Sequence, residues 1–131
     1  PALFMEFNPF KCYSSVQYIQ WYDDGHKSME CTFLNSEKIG HFIEWYNSGQ
    51  KYSEGDYKNN CKTGHWIEWL YNCQKYSGGD YEYGKKTGHW IEWSDIDKTF
   101  YEGDYLNRVK IGKWTELPTN KIFYEKQYLN G

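Results

Sequence analysis

The chain has few of the aliphatic residues from which a compact core is normally built. Leu, Ile and Val are sparse among its 131 residues, whereas aromatic residues account for 21% of them. A globular domain of this size usually relies on aliphatic side chains for its interior. We therefore expect a thin structure in which large flat side chains bury one another across neighbouring strands.

The sequence also lacks a basic stripe and a long apolar run. The net charge is −3, which disfavours nucleic acid as a partner because no row of cations could displace counterions. The same balance disfavours an anionic membrane surface, and no apolar segment approaches the length of a transmembrane helix. The chain begins at Pro1, so its native N-terminus need not be present.

Cysteine is present four times, but its spacing indicates neither a metal site nor a disulfide within one unit. Cys61 and Cys73 fall in turns at opposite edges of the predicted sheet, roughly 17–20 Å apart. A disulfide needs Cα atoms within about 7 Å. No C-x-x-C pair occurs, so we predict no metal and no cofactor. Free thiols favour a reducing compartment, and we predict a cytoplasmic protein. The other two cysteines are Cys12 and Cys31.

What the sequence does contain is a repeat. The octapeptide KTGHWIEW fills residues 62–69 and 86–93, and KIGHFIEW fills residues 38–45. The period is 24, and about four full units with partial ends cover residues 16–131 as one repeat domain. Residues 1–15 lie outside the repeat, and their apolar segment is expected to cap the first strand. The structural repeat glycines are Gly40, Gly64, Gly88 and Gly112.

Each unit is predicted to contain two short strands. Residues 52–57 and 65–70 are rich in aromatic residues and are bracketed by turn residues. The first turn of the unit contains Asn59-Asn60, and the second contains residues such as Ser48-Gly49, which accept a positive φ. No helical apolar period of useful length is present. The sequence therefore predicts an all-β meander of stacked β-hairpins.

The repeat motif resembles the MORN repeat, in its bacterial and viral variant form, which includes antitoxin-like proteins. The resemblance is carried by Glu54-Gly55-Asp56-Tyr57, Lys62, Gly64, Trp66 and Trp69, and by their copies in the next units. It spans most of the chain. It implies a single elongated, twisted antiparallel sheet, a repeat solenoid, that acts as a scaffold for protein partners or, in some relatives, binds membrane lipid.

Side chains alternate between the two faces of a strand, and the period therefore predicts ladders. One face, the tryptophan face, carries Phe42, Trp66, Trp90 and Trp114 with the glutamates of the same strands. The other, the histidine face, carries His41, His65 and His89 with Trp45, Trp69 and Trp93. The candidate interaction surface comprises Trp66, Trp90, Trp114, Glu44, Glu68, Glu92, Tyr57, Tyr81 and Tyr105.

The repeat argues against catalysis. Every candidate acid or base occurs three or four times, whereas catalysis needs one site with one special environment. We therefore predict a non-enzymatic protein-interaction or scaffolding module with no catalytic residues and no essential small molecule. The partner is a protein, or a second copy that joins through the open edges of the sheet. The alternatives are capture of a glycan or quaternary amine by the aromatic rows, or lipid-surface binding, which the acidic balance opposes.

Overall fold

A computed structural model describes residues 14–71 and 76–117. In this part of the chain every regular element is a strand. No helix there is long and apolar enough to cross a membrane. The nine strands are β1 (Val16–Trp21), β2 (Lys27–Leu34), β3 (Glu37–Trp45), β4 (Lys51–Lys58), β5 (Cys61–Trp69), β6 (Tyr76–Glu82), β7 (Lys85–Ser94), β8 (Thr99–Leu106) and β9 (Val109–Glu116).

The strands form one open antiparallel sheet in which each strand pairs with its neighbours in sequence. The predicted all-β meander of hairpins is therefore confirmed. β1 begins at Val16, the residue at which the repeat domain was expected to begin. Most of the predicted cap, residues 1–13, and the end of the repeat domain, residues 118–131, lie outside the described residues.

The structure confirms the predicted hairpin turns at Asn59-Asn60 and at the corresponding positions of the other units. Asn59 and Asn60 both have a positive φ, as do their counterparts in the other units, which is the requirement of a two-residue hairpin turn that follows the strand twist. The amide of Asn60 donates to the carbonyl of Lys38, and the same bond recurs one unit later from Gly84 to Lys62. Each of these turns is thus tied to the strand that follows the first turn of the preceding unit.

The repeat glycines lie within strands rather than in turns, which corrects the predicted strand limits. Asp56 pairs with Thr63 and Glu54 pairs with Ile67, so three residues of β5 lie opposite Gly55 alone. This is a β-bulge, and Gly64 takes a φ of 64° within it, a conformation that glycine adopts without strain. Because the bulge continues the ladder, β5 starts at Cys61 instead of at His65.

A second set of glycines makes room for the tryptophans. A Cβ atom added at Gly55 would overlap the indole of Trp66, and Gly79 stands in the same relation to Trp90. The indole therefore lies flat across the backbone of the preceding strand. The indole Nε1 donates a hydrogen bond to a carbonyl of that strand. In Trp66 the acceptor is the carbonyl oxygen of Asp56, at 3.0 Å. Trp66 and Trp90 are only 2% and 4% exposed.

The first such pair in the chain differs in both members. Cys31 occupies the slot of Gly55, and Phe42 occupies the slot of Trp66; both side chains are buried and pack in one cluster with Trp66. A phenyl ring is smaller than an indole, and it leaves space for the thiol of the cysteine. The two substitutions conserve the volume of the layer, which close packing demands.

The histidine face has its own apolar layer, formed by one isoleucine per unit. Ile43, Ile67 and Ile91 are at most 9% exposed. At the C-terminal end, Ile91 packs with Phe100 and Leu117, and Phe100 stacks edge-on against Trp93 at 4.9 Å. Both faces of this single sheet are therefore partly covered by side chains.

The contact between indole and glycine gives the first testable prediction. Gly79→Ala is expected to lower the free energy of unfolding by about 1–3 kcal/mol, because its methyl group collides with the indole. In the double variant Gly79→Ala/Trp90→Phe the smaller ring relieves the collision, as in the native pair of Cys31 and Phe42. Urea unfolding of both single variants and the double variant should give a coupling energy of about 0.5–3 kcal/mol. Additive effects would show that the two residues do not share this space.

Candidate functional site

The tryptophan face is a continuous row of aromatic rings. Trp66 lies between Tyr57 and Tyr81, with ring centroids 5.2 and 6.2 Å away. Trp90 lies in the same way between Tyr81 and Tyr105, at 5.2 and 5.9 Å. All four contacts are edge-on, the geometry that the quadrupoles of the rings favour.

The burial of this row bears on the candidate interaction surface. Trp66, Trp90 and Tyr105 have at most 8% of their surface exposed, so their rings are not accessible to a partner in this structure. A role for these rings in a contact surface does not fit the packing, because the indoles lie flat against the glycines of the preceding strand and do not project into solvent. Trp114 is half-buried, and its Nε1 atom is buried without a hydrogen-bond partner.

A row of lysines that was not predicted from the sequence covers the indoles. The Nζ atoms of Lys62, Lys86 and Lys110 lie 4.2, 4.4 and 4.1 Å from the ring centroids of the tryptophans in their own units. Each contact is a cation–π interaction of about 0.5–2 kcal/mol. The expectation that the chain has no basic stripe is thus corrected. The signal was available, because Lys38, Lys62, Lys86 and Lys110 recur with the period of 24.

The predicted glutamates lie beside these lysines and neutralise part of their charge. Glu92 is the most engaged, with Lys86 at 2.8 Å and Lys110 at 3.0 Å, and it accepts a hydrogen bond from Tyr105 at 2.7 Å. Burial acts to raise the pKa of Glu92, but the hydrogen bonds from these three groups outweigh it and lower the pKa. Glu68 is less engaged, because its carboxylate lies 3.8 Å from the ammonium of Lys62 and its side chain is half-exposed.

The tyrosines between the indoles are held in their neutral form. Burial, followed by the charges of Glu68 and Glu92, raises the pKa of Tyr81 to about 12. Burial and the hydrogen bond to Glu92 also raise the pKa of Tyr105. These shifts follow from packing beside carboxylates, which disfavours a second negative charge.

The histidine face carries exposed pairs of histidine and carboxylate. His65 Nδ1 lies 3.0 Å from Asp80, and the side chains of both residues are roughly half-exposed. His41 contacts Glu54 at 3.0 Å as well as Asp56 at 3.4 Å. The histidines thus contact carboxylates of the neighbouring strand, either aspartate or glutamate. His65 has no glutamate because Gly78 replaces it in that unit.

No group of three or more His, Cys, Asp or Glu side chains suited to a metal ion occurs within residues 14–71 and 76–117. Cys31 and Cys61 are both free thiols, and burial raises the pKa of Cys31. Cys12 and Cys73 lie outside the described residues.

The C-terminal end of the sheet exposes an aliphatic patch. Leu106, Val109 and Ile111 are 56%, 62% and 42% exposed. Leu106 pairs directly with Val109 across the last hairpin, and Ile111 pairs with Asp104. The three side chains therefore lie on the histidine face near the turn between β8 and β9.

Comparison with models of known protein families finds no match, and comparison with curated proteins finds no similar sequence. The resemblance to the MORN repeat thus rests on the motif residues alone and stays a prediction. The structure agrees with its implied architecture to the extent that the described strands form one open sheet of stacked hairpins.

The raised pKa of Tyr81 predicts a loss of stability in alkali. A tyrosine whose pKa is higher in the folded state than in the unfolded state stabilises the fold fully below the unfolded value, about 10. That contribution is lost as the pH rises toward about 12, because the unfolded state ionises first. Urea unfolding of the wild type between these pH values should show declining stability, with a shallower decline in Tyr81→Phe. Equal slopes in the two proteins would contradict the inference that the raised pKa of Tyr81 contributes to stability.

Proposed function

We propose that this chain is a non-enzymatic protein-interaction module that accepts a partner strand at its C-terminal sheet edge. The observation that carries the proposal is the aliphatic patch of Leu106, Val109 and Ile111. It occupies slots that the two preceding units fill with polar or small residues, and it lies beside a strand edge. The MORN resemblance supports the same class of function, since it implies scaffolding through protein partners.

The repeat provides an internal comparison for this patch. One unit earlier, the three slots of the patch hold Glu82, Lys85 and Thr87, and two units earlier they hold Lys58, Cys61 and Thr63. The backbone pairing is the same, since Glu82 pairs with Lys85 as Leu106 pairs with Val109. These two hairpins therefore form without aliphatic residues in the three slots, whereas the β2–β3 hairpin holds Leu34 and Ile39 in two of them. Exposed apolar groups that the fold does not require are typical of contact surfaces.

The neighbouring edge supplies the backbone half of such a contact. β9 pairs with β8, and among the described residues no strand pairs with its other side. Seven of its eight residues are exposed. An edge strand presents unpaired N–H and C=O groups that an added strand can bond. In strand addition the backbone provides affinity and side-chain contacts provide specificity, and the aliphatic patch fits the second role.

The alternative of ligand capture by the row of Trp66, Trp90 and Trp114 has less support. The indoles are covered by the strand beneath and by the chain's own lysines, which already occupy the positions above the rings where an ammonium ligand would bind. A sugar would have to displace the same lysines. The contact surface is better placed at the edge of the sheet.

A variant that restores the polar residues of the preceding unit tests the proposal. Leu106→Glu/Val109→Lys/Ile111→Thr copies Glu82, Lys85 and Thr87 into the last hairpin, so it should fold like the wild type. We expect the wild type to self-associate in sedimentation velocity as its concentration rises, or to retain a partner strand in a pull-down. The triple variant should lose that association by at least tenfold in Kd, about 1.4 kcal/mol.

The matched control is Ile96→Lys, because Ile96 is 93% exposed and lies in the loop between β7 and β8, away from the patch. It should associate like the wild type. Circular dichroism and Tm must be unchanged in all variants. A wild type that stays monomeric over a wide concentration range and retains the same proteins as the triple variant would contradict the proposal.

A further inference from the structure

A recess lined by aromatic side chains lies at the N-terminal end of the sheet, where β1 to β4 approach the second turns. Its volume is about 480 Å³, within the range of about 300–1,000 Å³ that small-molecule sites occupy. Its lining also includes Met29, the polar residues Gln20 and Ser28, and one carboxylate, that of Glu44. Tyr22, Tyr46 and Tyr52 are the aromatic residues on the side of Glu44, and Trp21 and Trp45 border the recess.

The aromatic walls are held in place by contacts of their own. The hydroxyl of Tyr22 donates to the carbonyl of Trp45 at 2.7 Å, and the hydroxyl of Tyr46 donates to that of Trp69 at 2.8 Å. Tyr46 also stacks edge-on against Tyr52 at 5.1 Å. With both hydroxyl protons bonded to backbone carbonyls, Tyr22 and Tyr46 contribute ring surface rather than a hydrogen-bond donor to the recess.

A second recess lies beside the corresponding glutamate two repeats further along, on the side of the strands that follow it. That C-terminal recess, of about 500 Å³, is lined by Glu92 and Trp93, the counterparts of Glu44 and Trp45, and by Lys110. The ammonium of Lys110 lies 3.0 Å from Glu92. In this unit a cation of the chain itself satisfies the glutamate of the recess.

Glu44 has no such cation. Among the described residues it accepts a hydrogen bond from Ser53 at 2.9 Å but forms no ion pair. The nearest lysines of the row are engaged elsewhere, since Lys38 lies over Phe42 and Lys62 pairs with Glu68. The N-terminal recess therefore combines aromatic side chains with a carboxylate that forms no ion pair within residues 14–71 and 76–117.

We propose that the N-terminal recess binds a quaternary ammonium group, with Glu44 as its counter-charge. Such a group is attracted to the faces of aromatic rings and needs no hydrogen-bond acceptor. Burial and the charges of Glu68 and Glu44 raise the pKa of Tyr52, which keeps this wall neutral. The inference is independent of the proposed strand addition, because the recess and the aliphatic patch lie at opposite ends of the sheet.

Choline and a peptide with a trimethylated lysine carry the same ammonium chemistry, and both serve as probes. The indole N–H resonances of Trp21 and Trp45 report binding in NMR titrations at constant ionic strength. We expect either probe to shift these resonances in a saturable way. Saturation by choline identifies a free small ligand as the source, whereas saturation by the trimethylated peptide alone identifies a protein side chain.

Two variants and one neutral probe make the titration decisive. Glu44→Gln should weaken binding by about tenfold and Tyr52→Leu by a similar factor, whereas Glu92→Gln, at the recess filled by Lys110, should leave affinity unchanged. The neutral carbon isostere of choline should bind far more weakly than choline. The proposal is overturned if neither charged probe produces a saturable shift, if the isostere binds equally well, or if Glu44→Gln binds like the wild type.

Discussion

The structure depends on the contact between an indole and a glycine of the preceding strand. A single sheet has no interior between layers, so its apolar groups must be buried within the thickness of the side chains themselves. Laying Trp66 flat over Gly55 does this, and the bond from Nε1 to the carbonyl of Asp56 satisfies the polar atom of the ring. The β-bulge at Gly64 is part of the same arrangement, since it sets Trp66 opposite the glycine.

This packing determines which chemistry each face can present. On the tryptophan face each indole packs against a glycine on one side and against a lysine ammonium on the other. The glutamates beside these lysines balance part of their charge. The rings therefore serve mainly to hold neighbouring units together. On the histidine face the pairs of histidine and carboxylate remain in contact with solvent, as His65 and Asp80 show.

Departures from the repeat are more informative about function than the repeat itself. A residue that recurs in every unit is explained by the packing of that unit, whereas a residue that breaks the pattern without necessity needs another reason. Cys31 with Phe42 is a break that packing explains, because the two changes compensate in volume. The exposed aliphatic residues of the last hairpin, and the lack of an ion pair to Glu44 among the described residues, are departures that packing does not explain, and both proposals are located there.

The sequence by itself determined the all-β class, the hairpin turns at Asn59-Asn60 and their counterparts, and the two rows of side chains, because turn chemistry and a period of two residues act locally. Only the tertiary structure decided that Gly64 lies in a bulge, that Trp66 is buried and that Lys62 covers it. These outcomes depend on which residues of neighbouring strands stand opposite each other, and a single unit does not contain that information. The lack of an ion pair to Glu44 within the described residues is of the same kind, since it becomes apparent only when three strands are placed side by side.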